Sequence, residues 1–418
     1  FFSPSRRMVF GWLLGGSCLL KQAPVEEKRG PLRLPLYHTK GAPNEGVYKL
    51  RMELGGHQID AIIDSCSSDV IIVGQQCGHT CQHTVGHYPA DAKTYTGKSS
   101  TASYVSQTTY LNWARDQVKF VKDLAERPLV GTAGSGIRPG LMGTNDDMAP
   151  NPSHPLHFGT IVKNISHIVQ GGTMPGRSIV GLMPAQSSDG PGLGLLNPKD
   201  NKSFVNQFFG PNGVFKRPVY SIHIEPAGDT GEIILGGVHD DVQQWVPLLP
   251  AKEGAPYLRQ LGQWMIRAKG VHIIGFNPKN PEEYTIMQEL KDITKIRFDT
   301  GNTWLSMPSS VFRQHGHLGE IPGIAGLHFT LDNDVRLWIP AQQFSGSVGV
   351  ANATGFGGLA EDAGLENDIC IFGNEIMKGM TVACDLEKAQ LGFGGMCTSV
   401  GMEEPMGCHI YQPPGVAK

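Results

Sequence analysis

The stretch AIIDSCSSDVIIVG, residues 61–74, sets two aspartates, three serines and a cysteine inside what otherwise reads as one apolar β-strand. Runs of Ile and Val favour buried strands, and an ionised carboxylate in such a place is costly unless partnered. Taken alone, Asp64 reads as an Asx-type turn after a strand. A second stretch changes that reading. KIRFDTGNTWLS, residues 295–306, repeats the pattern of AIIDSCSSDVII, with Asp299 opposite Asp64. Each aspartate ends an apolar strand and is followed by a hydroxyl residue, a third residue and another small polar one. A further echo follows each: Ile179-Val180-Gly181 after the first and Ile371-Phe372-Gly373 after the second. Two related halves, each offering one carboxylate on a tight loop, imply a two-lobed protein with paired acids at the lobe junction. Ligand sites favour such junctions.

Composition points the same way. The chain has 418 residues, enough for two or three domains, each with a real core. Only 17% of residues are charged, while 54 are Gly and 29 are Pro. Turn-rich, weakly charged and β-branched composition favours a mostly-β globular protein over disorder or helical bundles. The formal net charge is −3 with no basic block, which excludes an electrostatic case for nucleic acid.

The paired loops resemble those of the pepsin-like aspartic proteases, a bilobal all-β family with one D-T-G-S/T loop per lobe. The likeness runs over residues 31–396. PLRLPLYH (31–38) resembles the first strand of the mature enzyme, and YPADAKTY (88–95) its F-x-P-x-x-S-x-T-Y segment. GEIILGGVHDD (231–241) resembles the G-x-x-x-x-G-G-x-D turn, followed by strand-like WVPLL (245–249) and QWMI (263–266). IFGNEIMKGMTVACDLEKAQLGFG (371–394) resembles the two closing segments of the family. The resemblance implies Asp64 and Asp299 as catalytic acids sharing one proton, because two close carboxylates cannot both ionise. One would take a proton from a bound water that attacks the peptide carbonyl, and the other would polarise that carbonyl and assist the leaving amine. Ser65 and Thr300 would bond across to the opposite loop, Ser67 would bond Asp64, and Gly301 and Asn302 would complete the second loop. Neither a metal nor a cofactor is implied, and the partner is an extended peptide or protein in the cleft.

Departures gather at the same site. Cys66 stands where the family has glycine, which lets backbones approach closely, so its CH₂SH group must find room or push the carboxylates apart. Asn302 replaces Ser or Thr, Asn374 replaces an Asp, and Arg177-Ser178 replaces D-G. Tyr104 is the expected flap tyrosine, yet Tyr104-Val105-Ser106-Gln107 replaces Y-G-T-G, and Ile71 stands where the family braces that tyrosine with tryptophan. Misplacing a catalytic group by about 1 Å costs on the order of a hundredfold in rate. Two readings therefore stand: an acid endopeptidase, or a catalytically lapsed relative acting as a binding or structural subunit.

Among eight cysteines, Cys77 and Cys81 lie near the family's short-loop disulfide. With His79, His83 and His87 the same stretch also offers ligands for zinc, although finger spacing is absent. Cys397 and Cys408 are expected to bridge a tail, leaving Cys66, Cys370 and Cys384 as buried thiols. The expected divisions are a leader, anchor or pro-segment over 1–30, an N-terminal lobe over 31–217, a C-terminal lobe over 218–396 and a tail over 397–418. Residues 8–20, MVFGWLLGGSCLL, follow Arg6 and Arg7 and suit the core of a secretory signal. They also offer a contact to a membrane or a larger complex. Sequons at Asn164, Asn201 and Asn352 are compatible with a secretory, vacuolar or lysosomal, or extracellular location; an organellar complex is the alternative.

Overall fold

The computed structural model describes residues 30–38, 47–81, 86–103, 107–121, 154–166, 177–183, 203–228, 230–249, 264–303, 305–315, 318, 321–344, 368–395 and 398–399. The leader expected over 1–30 and the tail expected over 397–418 fall almost entirely outside them, as do Tyr104, His83, Cys397, Cys408 and the sequons at Asn201 and Asn352.

In chain order the first strands are β1 (Leu32–His38), β2 (Tyr48–Leu54), β3 (His57–Asp64), β4 (Val70–Val73), β5 (Tyr95–Ser103), β6 (Gln107–Phe120), β7 (His154–Ser166) and β8 (Ile179–Gly181). A short helix, α1 (Phe204–Phe209), leads to β9 (Val219–Ile224), β10 (Thr230–Leu235) and β11 (Gln244–Pro247). Then come β12 (Met265–Asn277), β13 (Asn280–Glu289), β14 (Lys295–Phe298), β15 (Leu305–Ser306), α2 (Ser309–His315), β16 (Ile324–Leu331) and β17 (Arg336–Pro340). The last are α3 (Ala341–Phe344), β18 (Ile369–Phe372), β19 (Met380–Asp385), β20 (Gln390–Gly395) and β21 (Thr398–Ser399). The protein is predominantly β, as its composition indicates.

These strands make two sheets. A 13-stranded sheet runs β11-β20-β19-β9-β10-β1-β2-β3-β8-β4-β7-β6-β5, and an 8-stranded one runs β15-β18-β14-β12-β16-β17-β21 with β13 on β12. The boundary expected at 217/218 falls just before β9, whose neighbours are β10 and β19, and β10 in turn pairs with β1. Strands from both ends of the chain thus share one sheet. In β1 the alternation of Leu32, Leu34 and Leu36 with Arg33 and Pro35 turns the leucines inward. Their cluster is continuous from Ile63, Val180 and Phe204 to Phe298, Phe372 and Phe393, so one core underlies both acid-bearing stretches. Helix α1 is too short to persist alone. It is held by Phe204, Val205, Phe208 and Phe209, all buried, and by Ser203, whose Oγ accepts from the Asn206 N–H at 3.1 Å.

Strand β2 is buried on both faces and still carries a cation. Arg51 sits directly opposite Asp60 of β3, donating from Nε at 2.7 Å and from a terminal nitrogen at 3.0 Å. Both residues are buried. The Tyr37 ring lies 5.6 Å from the guanidinium carbon, and burial, reinforced by Asp60, pushes its phenol well up. A bidentate pair of this kind is costly to break by halves, because the remaining charge stays in the core. Asp60→Asn is expected to lower the free energy of unfolding by about 3 kcal/mol, measured by urea denaturation at pH 7.

Candidate active site

The two acid-bearing stretches have the same backbone construction. Strand β3 runs into Asp64 with β8 parallel beside it, Asp64 facing Gly181, and β4 antiparallel on the far side of β8. Strand β14 runs into Asp299 with β18 parallel beside it and β15 antiparallel on the far side of β18. In each, the short later strand (the Ile-x-Gly echo of the sequence) fills the gap between the strand entering the loop and the strand leaving it. The loops close alike. Ser67 N–H donates to Asp64 O at 3.3 Å and Asn302 N–H to Asp299 O at 3.1 Å. Cys66 N–H donates to Asp64 Oδ1 at 2.8 Å and Gly301 N–H to Asp299 Oδ1 at 3.0 Å. Gly181 has to be glycine: a Cβ there would stand 2.4 Å from Ser67 O.

Each loop is tied to the other through its hydroxyl. Thr300 Oγ1 accepts from Ser65 N–H at 2.8 Å, and Ser65 Oγ accepts from Thr300 N–H at 3.0 Å, across 235 residues of chain. Ser65 Oγ in turn donates to Phe298 O and Thr300 Oγ1 to Ile63 O, both at 2.9 Å. All of these atoms are buried, where hydrogen bonds are strong and their loss is expensive.

This tie brings the acids together. One carboxylate oxygen of Asp64, one of Asp299 and the Cys66 sulfur all lie within 4.8 Å of one another. Asp299 is buried and Asp64 half-buried. Ser67 Oγ donates to Asp64 Oδ2. Gly301 leaves Asp64 its place, since a Cβ there would stand 2.7 Å from the Asp64 Cγ. Burial and the neighbouring Asp299 carboxylate push Asp64 from its usual 3.8 up to about 6, against the pull of Ser67, the Cys66 N–H and Arg297. Below that pH the pair holds a proton.

Cys66 finds room by turning its sulfur toward β14. Arg297 Nε donates to Sγ at 2.9 Å, and Sγ lies 3.4 Å from Phe298 O. Burial, with both carboxylates, pushes the thiol up, although Arg297 draws it down. Asp64, Cys66 and Asp299 carry the donor atoms of a three-ligand cation site, but the Arg297 charge on the sulfur opposes a second cation there.

Asn302 Nδ2 donates to Ser306 Oγ at 3.4 Å. Asn374 is fully buried and donates from Nδ2 to Thr300 O at 2.8 Å, a bond that an ionised aspartate has no proton to make. Ser178 Oγ accepts from Val73 N–H at 2.9 Å, bracing β4. The β5–β6 hairpin is formed, with Ser103 opposite Thr108, and the expected flap residue Tyr104 falls outside the described residues. Cys77 and Cys81 form a disulfide, which leaves neither sulfur free for zinc. Cys370 and Cys384 are buried free thiols as expected, whereas Cys66 is half-buried. The sequon at Asn164 is corrected: this residue is buried in the β6–β7 pairing opposite Thr109, where no glycan fits.

Arg297 is the residue that sequence reasoning missed. Its signal was an arginine in the apolar run before Asp299, at the position that Ile62 fills before Asp64. No protein-family model matches this chain, and no curated protein matches it.

The raised Asp64 value has a sign that can be tested. A carboxyl whose folded pKa exceeds its unfolded one stabilises the fold below the unfolded value, and that contribution is lost as pH rises through about 6. Asp64→Asn, which never ionises, should therefore be more stable than wild type at pH 7 by about 3 kcal/mol. The difference should fade below pH 4, as read from urea unfolding across that range.

Proposed function

We propose that the chain is a bilobal, pepsin-like acid endopeptidase that hydrolyses peptide bonds with the Asp64/Asp299 pair and an activated water. The observation that carries this reading is the reciprocal tie of Ser65 and Thr300, which holds two carboxylates within reach of a single water molecule. The ionised member takes the water's proton as its oxygen attacks the scissile carbonyl. The protonated member donates to that carbonyl and then to the departing amine, and the pair ends one turnover with its single proton restored. An extended peptide lies across the acids beneath the β5–β6 hairpin, meeting the strands by backbone pairing. The chemistry draws on no metal or cofactor, since acids and water supply every proton. An acidic compartment of the secretory, vacuolar or lysosomal route suits a pair that needs one proton.

One observation favours the second reading, a lapsed enzyme that binds peptides or serves in an assembly. The Cys66 sulfur is within 4.8 Å of an oxygen of each carboxylate, at a position where the family has no side chain. A single assay separates the two. Cleavage of an unfolded protein, measured from pH 3 to 8, is expected to be highest in acid, to fall as pH rises through about 6, and to be blocked by a statine-type inhibitor. Asp299→Asn should lower the rate by about a hundredfold or more with the unfolding curve retained. Equal rates in the two proteins would reject the catalytic reading.

A further inference from the structure

We propose that Arg297 is a positioning residue of the acid pair: its guanidinium draws the Cys66 sulfur onto β14 and keeps the space between Asp64 and Asp299 open for water. The inference rests on reading that pair as the catalytic acids.

The two halves supply the comparison. At Gly301 there is no room for a side chain, because a Cβ would stand 2.7 Å from the Asp64 carboxyl carbon. Cys66 occupies the matching position on the other loop, with its sulfur within 4.8 Å of an Asp299 carboxylate oxygen. The sulfur nevertheless turns to β14, at 2.9 Å from Arg297 Nε and 3.4 Å from Phe298 O. Arg297 is 7% exposed, and the residues in register with it, Met265 of β12 and Ile371 of β18, are apolar and buried. A guanidinium in such surroundings is costly without partners, while Ile62, its counterpart before Asp64, is ordinary core. The two most unusual residues of the site, one from each half of the chain, thus touch each other. One makes the intrusion and the other holds it aside.

The same cation acts on the acids by its charge. Facing Asp64 are Asp299 from the loop after β14, Arg297 from β14, Cys66 and Ser67 from its own loop, and Tyr220 from β9, with Cys384 of β19 behind that tyrosine. Arg297 is the cation of this group, and it favours the ionised form of Asp64. Removing it should therefore extend activity to higher pH even as the misplaced sulfur lowers turnover.

The test uses the full chain as wild type, Arg297→Leu, Arg297→Lys, Cys66→Gly and the double variant Cys66→Gly/Arg297→Leu. Three readings are taken: iodoacetamide labelling of native Cys66 mapped by peptide mass, urea midpoints, and the pH profile of kcat and KM. In Arg297→Leu, Cys66 should label several-fold faster once the rate is corrected for thiolate fraction by its own pH dependence, and kcat should fall with KM little changed. The alkaline limb of its profile should move up by about one pH unit. Arg297→Lys keeps the charge but not the planar fork, so its limb should stay with wild type while kcat lies between. Adding Cys66→Gly to Arg297→Leu should restore kcat, since no sulfur remains to intrude, and the urea midpoints of the cycle should be non-additive. Unchanged labelling together with additive midpoints would overturn the proposal, as would a double variant no faster than Arg297→Leu. Should Arg297→Leu not fold, Arg297→Lys carries the labelling and kcat comparisons. If wild type cleaves nothing, the catalytic reading falls and with it the role toward water. Labelling and midpoints still decide whether Arg297 holds the sulfur.

Discussion

Two carboxylates brought within 4.8 Å of each other in a poorly hydrated place repel unless a proton is shared between them. Nothing in the carboxylates themselves holds them there. The holding is done by two hydroxyls, Ser65 and Thr300, each accepting from the opposite loop's N–H and donating to a carbonyl before the opposite acid. Those hydroxyls are in turn fixed by the strands that deliver them, β3 beside β8 and β14 beside β18. Strain at the acids is therefore spread over two sheets and one continuous core.

The backbone is repeated but the side chains are not. Gly301 and Asn302 beside Asp299 correspond to Cys66 and Ser67 beside Asp64, and Ile62 before Asp64 corresponds to Arg297 before Asp299, and the differences bear on electrostatics. Asp64 receives Ser67 Oγ and the influence of Arg297, and both pull its proton affinity down, while burial and Asp299 push it up. Such unequal surroundings make the two carboxyls chemically distinct, which identical environments would not.

The β5–β6 hairpin has a separate anchorage. Ile71, Val73, Cys77, Cys81, Leu111, Trp113 and Ile161 make a small apolar cluster apart from the main core. The Cys77–Cys81 disulfide lies in it, and Trp113 Nε1 donates to Ser100 Oγ at 2.8 Å, joining β6 to β5. Ile71, where the family resemblance places a tryptophan, is core of this cluster, with the indole of Trp113 supplied from the hairpin strand itself. The base of the hairpin is thereby tied to β4, the strand that leaves the Asp64 loop.

Much of this was legible in the chain alone. The repeated pattern around Asp64 and Asp299 marked both acids, their hydroxyl partners and the Ile-x-Gly strands, because a strand-to-loop transition leaves a local signature of apolar run, acid and small polar residues. The mostly-β character followed from composition, and the short-loop disulfide from the family resemblance, with zinc as the alternative that the pairing removes. Arg297 and Cys66 were separately visible as oddities, one a charge in an apolar strand and the other a side chain in a glycine's place. Their contact was not visible, since they lie 231 residues apart and belong to different halves of the repeat. The same holds for the burial of Asn164 and for the Arg51–Asp60 pair in the core. Local preference and short-range pattern are written in neighbouring residues, so the sequence determined the strands, loops and acids. Which side chains meet depends on how the sheets register and pack, and only the tertiary structure decided that an arginine would meet the cysteine beside the acids.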